Sequence, residues 1–380
     1  MRELRTRLER LEVPEEHEAR ERAWQLVARA YAEPGPAPRP RRRVAPLLAF
    51  AAALAVVAAV LSPPGRAVLD TVRDRITGVQ GAEPALFDLP ADGRLVVDSP
   101  RGPWIVQADG SRRLLAGWRE AAWSPFGRFV VAARANELAA LETDGTVRWS
   151  LARPDVRFPR WHGDASHTAI AYLTGSRLHV VLGDGTRDID ACGLPAAARV
   201  APAWRPGARF VLAYVTTRGR VSIFDVAHCS SFYGGRPVIS APFRDPRLLL
   251  WSDDGERLLL VTDEQLVVLG TESAAPLAVR TLRDVTAAAF EPGTHRVALA
   301  REGEVLVLDL DGRQAPEVVF AGPGRFGSVV WSPDGSRLAV AWDDADQWLF
   351  LGPGGRVEAV AGIREQFGRF ARPVAWCCPG

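Results

Sequence analysis

The sequence predicts an all-β fold, a β-propeller of seven blades, or six if its two most degenerate repeats do not each form one. Three observations carry this. A motif of aromatic residue, tight turn and apolar run recurs along residues 85–380, with anchors at Trp123, Trp161, Trp204, Trp251, Phe290, Trp331 and Trp376. The anchors are 38, 43, 47, 39, 41 and 45 residues apart, the period of a four-stranded blade. The two ends of the region are complementary fragments of one repeat.

The clearest copy is Trp331-Ser-Pro-Asp-Gly335 followed by Leu338-Ala-Val340. An aromatic closes one strand, Pro and Asp-Gly make the turn, and an apolar run opens the next. Trp123-Ser-Pro-Phe-Gly127, Trp251-Ser-Asp-Asp-Gly255 and Trp204-Arg-Pro-Gly207 repeat it, while the copies at Trp161 and Phe290 are looser. A third strand follows at Leu178–Val181, Val221–Phe224, Leu266–Leu269 and Val305–Leu308. Such a meander cannot bury both faces alone, and radial stacking buries them with the anchor aromatics between neighbours. Trp376-Cys-Cys-Pro-Gly380 supplies a first strand with nothing after it. Gly93–Val97, Trp104–Gln107 and Arg113–Leu115 supply later strands with no anchor before them. Joined, the fragments close the ring without an unpaired edge.

These Trp-Ser-Pro-Asp-Gly units resemble the TolB-like, WD40-like propeller family over residues 85–380. Gly-His and Trp-Asp pairs of true WD40 repeats do not recur, and the sialidase aspartate box is absent.

Ahead of the propeller, residues 44–61 carry no charge and follow Arg39, Arg41, Arg42 and Arg43. At about 1.5 Å per residue the run spans a hydrocarbon core as a helix, and the arginines hold its start inside. The expectation is a single-pass protein of a bacterial plasma membrane, with the N-terminus cytoplasmic and the propeller extracytoplasmic. Residues 1–43 then form a cytoplasmic segment with a Pro/Arg-rich linker, and 62–84 a juxtamembrane helix and linker. Two short amphipathic patterns, Leu4-Leu8-Leu11 and Ala19 to Tyr31, suit helices that fold against a partner, so residues 1–33 are expected to hold a cytoplasmic regulator. This layout resembles membrane-bound anti-sigma regulators, although the His-x-x-x-Cys-x-x-Cys zinc pattern of one such class is missing.

The net charge of +2 gives no broad field for nucleic acid. No Walker loop or nucleophile elbow occurs, and no zinc-spaced cysteine pair. His162, Asp164 and His167 read as an interblade loop, and Asp109, Asp144, Asp184, Asp311 and Asp334 as turn formers beside Gly. No catalytic residue, metal or cofactor is expected. Off the anchors, Trp104, Trp118, Trp149, Trp342 and Trp348 are the surface candidates. Cys192 and Cys229, 37 residues apart in consecutive blades, are expected to form a disulfide, and Cys377 and Cys378 to stay buried thiols. The functional expectation is a non-enzymatic module that binds a protein or ligand, with a hydrolase or lyase in the central channel as the alternative.

Overall fold

The structure is a computed structural model that describes residues 80–84 and 88–378, less 165, 192–194, 209, 228–236 and 313–314. The expected anchor at 44–61, the helices within 1–33 and the Cys192–Cys229 bridge lie outside the described residues. Among those described, no helix is long and apolar enough to cross a membrane.

The strands form six sheets, antiparallel except for one parallel strand added at the edge of one of them. Four sheets follow one another in sequence, each with four strands: Glu120–Trp123 to Val147–Ala152, Val156–Gly163 to Ile189–Asp190, Ala203–Trp204 to Val238–Pro242, and Pro246–Trp251 to Pro276–Thr281. The fifth is the closing blade. Arg372–Cys377 pairs with Arg94–Asp98, Leu95 opposite Trp376, and Trp104–Val106 and Arg112–Leu114 complete it. The chain ends therefore share a blade.

The sixth sheet has seven strands and carries two anchors, Phe290 and Trp331. Its stretch Arg296–Asp309 folds back at Gly303 (φ +81°), which returns the Leu310 N–H to the His295 carbonyl at 3.2 Å. Glu317–Trp331 then runs without a break from the last strand of the Phe290 unit into the first strand of the Trp331 unit. By continuity of strand pairing the propeller has six blades, one of double width. Seven separate blades are thus corrected to six, because this continuous stretch joins two repeats. At the far edge Gln80–Pro84, inside the segment read as a linker, pairs parallel to Val357–Ala361.

First strands of successive units touch one another around the ring, so they are innermost. Second and third strands are covered on both faces by neighbouring blades and read as unbroken apolar runs, with Leu258–Thr262 buried throughout. Fourth strands such as Val147–Ala152 and Pro276–Thr281 alternate exposed and half-buried positions, as outer edges should.

The anchors end or nearly end the innermost strands. Three of them clip blade to blade: the indole N–H groups of Trp204, Trp251 and Trp331 donate to the carbonyls of Arg160, Ala203 and Ala289, each just before the preceding anchor. The indole nitrogens of Trp123, Trp161 and Trp376 are buried without a hydrogen-bond partner. Cys377 and Cys378 form a disulfide with each other, which corrects the expectation of free thiols. Cys378, just past the strand end, adopts a left-handed conformation (φ +51°). The two sulfurs lie 3.9 and 3.6 Å from the carbonyl oxygens of Ser124 and Pro125.

Candidate functional site

Two regions stand out, one where the inner strands begin and one on the opposite, turn-bearing face. At the first, charges from the closing blade and its neighbours converge. Asp98 ends the second strand of the closing blade, in register with Arg372. Arg372 donates to Asp343 through Nε at 3.2 Å and through Nη2, and Arg325 stands 3.4 Å from the same, almost fully buried carboxylate. Glu120 accepts the backbone N–H of Phe158 at 2.5 Å, fixing that residue in the left-handed region (φ +52°), with Arg157 at 3.6 Å. Desolvation pushes the Asp98 carboxyl up to about 6, opposed by Arg160, reinforced by Glu120 and opposed again by Arg372. Asp98 Oδ1 is buried without a hydrogen-bond partner. Desolvation also lowers the Arg160 guanidinium from its usual value, with Glu120 and Asp98 pulling the other way. The result is a desolvated carboxyl held above the usual carboxylate range, with a deeply buried cation among the charges that act on it.

The second region grows from one position of the repeat, the third turn residue, which is aspartate in the Trp331 and Trp251 units, glycine (Gly207, Gly293) in two others and Phe126 in a fifth. Asp334 accepts the Ser332 hydroxyl at 2.5 Å and the Ser336 N–H at 3.0 Å, and Asp254 accepts Ser252 and Glu256 in the same way. In the Trp123 unit that position is Phe126, which can accept nothing and stands 59% exposed. The turn is otherwise conserved in form: the Ser124 hydroxyl still accepts the Phe129 N–H at 2.9 Å, as Ser332 accepts Arg337.

Beside Phe126 a groove of about 810 Å³ runs between the Trp123 and Trp161 blades, lined by Phe129, Trp149 and Trp161 and by the charged residues Arg128, Arg148, Asp164 and Asp184. Phe129 stacks on Trp161 at 6.3 Å, and both guanidinium groups approach the Phe129 ring, at 5.2 and 5.6 Å from its centroid. Trp149 donates to the Gly183 carbonyl at 3.0 Å, and Gly185 (φ +83°) leaves room for its indole, since a Cβ there would sit 2.7 Å from the ring. Arg148 pairs with Glu142 at 3.1 Å, whereas among the described residues Arg128 has no carboxylate within 4.0 Å. The two aspartates are engaged by their own turns. Asp164 accepts from the Ser166 hydroxyl and N–H and from the His167 N–H, which hold it down at about 2; Asp184 accepts from the Thr186 hydroxyl and N–H.

A larger cleft of about 990 Å³ lies between the Phe290 and Trp331 units, but part of its charged lining is satisfied internally, Arg296 on Glu291 at 3.0 Å. Asp254, Glu256 and His295 lie close enough to hold a cation. Their geometry is that of an ion-pair network, with the imidazole between Asp254 (2.6 Å) and Asp311, and Arg257 on Asp311 at 3.0 Å.

Of the residues singled out from sequence, His162 donates from Nε2 to the Ala208 carbonyl (3.0 Å) and stacks on Trp204, and Asp164 caps its own turn. Asp109, Asp144, Asp184 and Asp334 serve their turns, while Asp311 instead engages His295 and Arg257. Trp149 lines the groove, and Trp104, Trp118 and Trp342 are half-buried. Trp348, taken as a surface candidate, is instead fully buried, donating to the Ala371 carbonyl at 3.0 Å and stacking on Phe367, because its third-strand position is covered from both sides. Phe126 is absent from that set, although its place in the Asp position of the repeat was a readable signal.

No family model matches the chain, and no curated protein does. Among solved structures it is similar to the C-terminal WD40 domain of Sif2, at 14% identity and a TM-score of 0.52, covering 75% of this chain and 87% of that one. It is also similar to the β-propeller domain of Myceliophteria thermophila Cps50 (Swd1), at 11% identity and 0.49, covering 64% and 85%. A third similarity is to Kuenenia stuttgartiensis hydrazine synthase, at 12% and 0.48, covering 61% and 75%. At these identities the likeness is one of fold, and that fold is a six-bladed, WD40-like β-propeller.

Proposed function

We propose that this chain is a non-enzymatic binding module whose propeller, of the TolB-like type, takes a protein partner on the turn-bearing face of the Trp123 and Trp161 blades. The observation that carries the reading is Phe126, an exposed aromatic in the place where two sister turns hold a capping aspartate. A turn that forgoes its cap to present an aromatic beside an aromatic groove has the composition of an interface core. In this reading residues 44–61 anchor the chain in a bacterial plasma membrane, supported by the four preceding arginines. The propeller faces outward as a sensor, and residues 1–33 hold a cytoplasmic regulator in the manner of an anti-sigma factor.

The test is site-specific photocrosslinking in cells. A benzoylphenylalanine at position 126 is expected to give a discrete adduct that the same probe at Leu277, equally exposed on an outer strand, does not. Identical patterns at the two positions refute the reading. Topology is checked separately: a reporter active only outside the membrane should work after Gly81 and fail before Arg39.

A second reading, a hydrolase or lyase in the central channel, is favoured by Asp98 and its neighbours. Turnover of any substrate in a hydrolase and lyase panel that D98N abolishes would put it first.

A further inference from the structure

Resting on the reading of the Phe126 face as a docking surface, we infer that its occupant is an acidic–aromatic peptide segment of a protein partner, its carboxylate beside Arg128 and Arg148 and its apolar side chain over Trp149 and Trp161. The argument is charge complementarity joined to shape. Two guanidinium groups converge on one ring, Phe129, and between them they have one carboxylate, Glu142, bound by Arg148. Arg128 is exposed, stacked and without an ion-pair partner among the described residues, so an incoming carboxylate finds a cation already held in place by the ring beneath it.

Asp164 and Asp184 accept from their own turns but stay charged, and Asp184 sits between Gly183 and Gly185, both of which meet Trp149. They disfavour an acidic residue beside the tryptophans and leave that surface to an apolar side chain, while the two guanidinium groups gather at Phe129. Phe126 and Phe129 line the groove together with Arg128, so the side chain next to the carboxylate meets aromatic surface. Orientation and composition of the peptide follow together.

The probe is a phage-displayed library of random peptides, panned on the full chain in detergent micelles against an F126D counter-selection. Wild type is expected to enrich sequences with Asp or Glu within a few residues of Phe, Tyr, Trp or Leu. A synthetic representative should bind about tenfold more weakly to R128E and to F126D, and more weakly as salt rises. R128E breaks no ion pair of the described residues, so its folding is expected to be intact, and an unchanged melting temperature confirms that. If Phe126-dependent peptides are enriched but lack acids, and R128E binds them as well as wild type, the docking face stands and the acidic partner is refuted. If no Phe126-dependent peptide emerges, the docking face itself is refuted. A concentration-dependent dimer that F126D dissolves would identify the occupant as a second copy of the chain and overturn the proposal.

Discussion

Deleting Val374–Gly380 should open the ring, and the structure allows the size of the effect to be worked out. The deleted stretch contains Trp376, 7% exposed, opposite Leu95 and edge-on to Phe350 at 5.7 Å. Truncating that one side chain to alanine costs about 3–5 kcal/mol by the usual penalty for a large buried aromatic. Deletion also unpairs Arg94–Val96 and uncovers Leu95 and Val96, both now wholly buried. At roughly 1.5–3 kcal/mol for full burial of each side chain, even partial exposure adds a few kcal/mol more. The combined loss reaches the about 5–15 kcal/mol that holds a typical domain folded, and it leaves a bare strand edge. The expected outcome is aggregation on size-exclusion chromatography, with W376A folded but melting roughly 6–10 °C lower. W118A, off the anchors and half-buried, should shift far less. A monomeric deletion variant with an unchanged melting temperature would show that the two chain ends do not hold the closing blade together.

Three further outcomes are expected. Replacing Trp204 by Phe removes the donor to the Arg160 carbonyl, whereas Trp376 has no such bond to lose, so W204F should cost about 1 kcal/mol more than W376F in denaturant unfolding. F126D gives the turn the acceptor its sisters have while removing a side chain that is only partly buried. Two contributions of about 1 kcal/mol oppose each other, and the denaturant midpoint should barely move; an unfolded F126D would place Phe126 in the core. The imidazole of His295 is raised from its ordinary value, first by the bond to Asp311 and then, against some burial, by Asp254; Arg257 and Glu256 are the other charges beside it. Its contribution is fully present below the unfolded pKa of about 6.5 and is lost as pH rises through the higher folded value. The stability advantage of wild type over H295Q should therefore shrink above neutrality, and an advantage that is flat from about pH 5 to about pH 9 would rule out a charged imidazole.

What could be read ahead of the structure was whatever the repeat imposes locally. Aromatic, turn and apolar run lie within about a dozen residues of each other, so the anchors, the third strands and the complementary chain ends were visible as a period. The join between the Phe290 and Trp331 units was not, because continuity of pairing from Glu317 to Trp331 depends on how the intervening residues bend, and no turn signal is missing there: Gly322, Pro323 and Gly324 are all present. Trp348 shows the same limit, since an aromatic off the anchor register looks exposed until the neighbouring blade covers it. The charges around Asp98 come from Glu120, Arg160 and Arg372, at opposite ends of the region, and only ring closure brings them together.

Phe126 belongs to neither group. It sits inside the most regular motif of the chain, and it is informative because the motif is regular: two sister turns place there an acceptor for the serine hydroxyl and for a backbone N–H two residues on, and two others place glycine. A repeat protein supplies its own reference for each position, and a large exposed aromatic matches neither the capping nor the glycine form of this turn. In this propeller Phe126, the groove and Arg128, which has no ion-pair partner among the described residues, fall on one face. A purely structural origin for Phe126 would have to explain why, where the Trp204 and Phe290 units carry the small turn formers Gly207 and Gly293, this turn presents a large aromatic beside an aromatic groove with a cation at its rim.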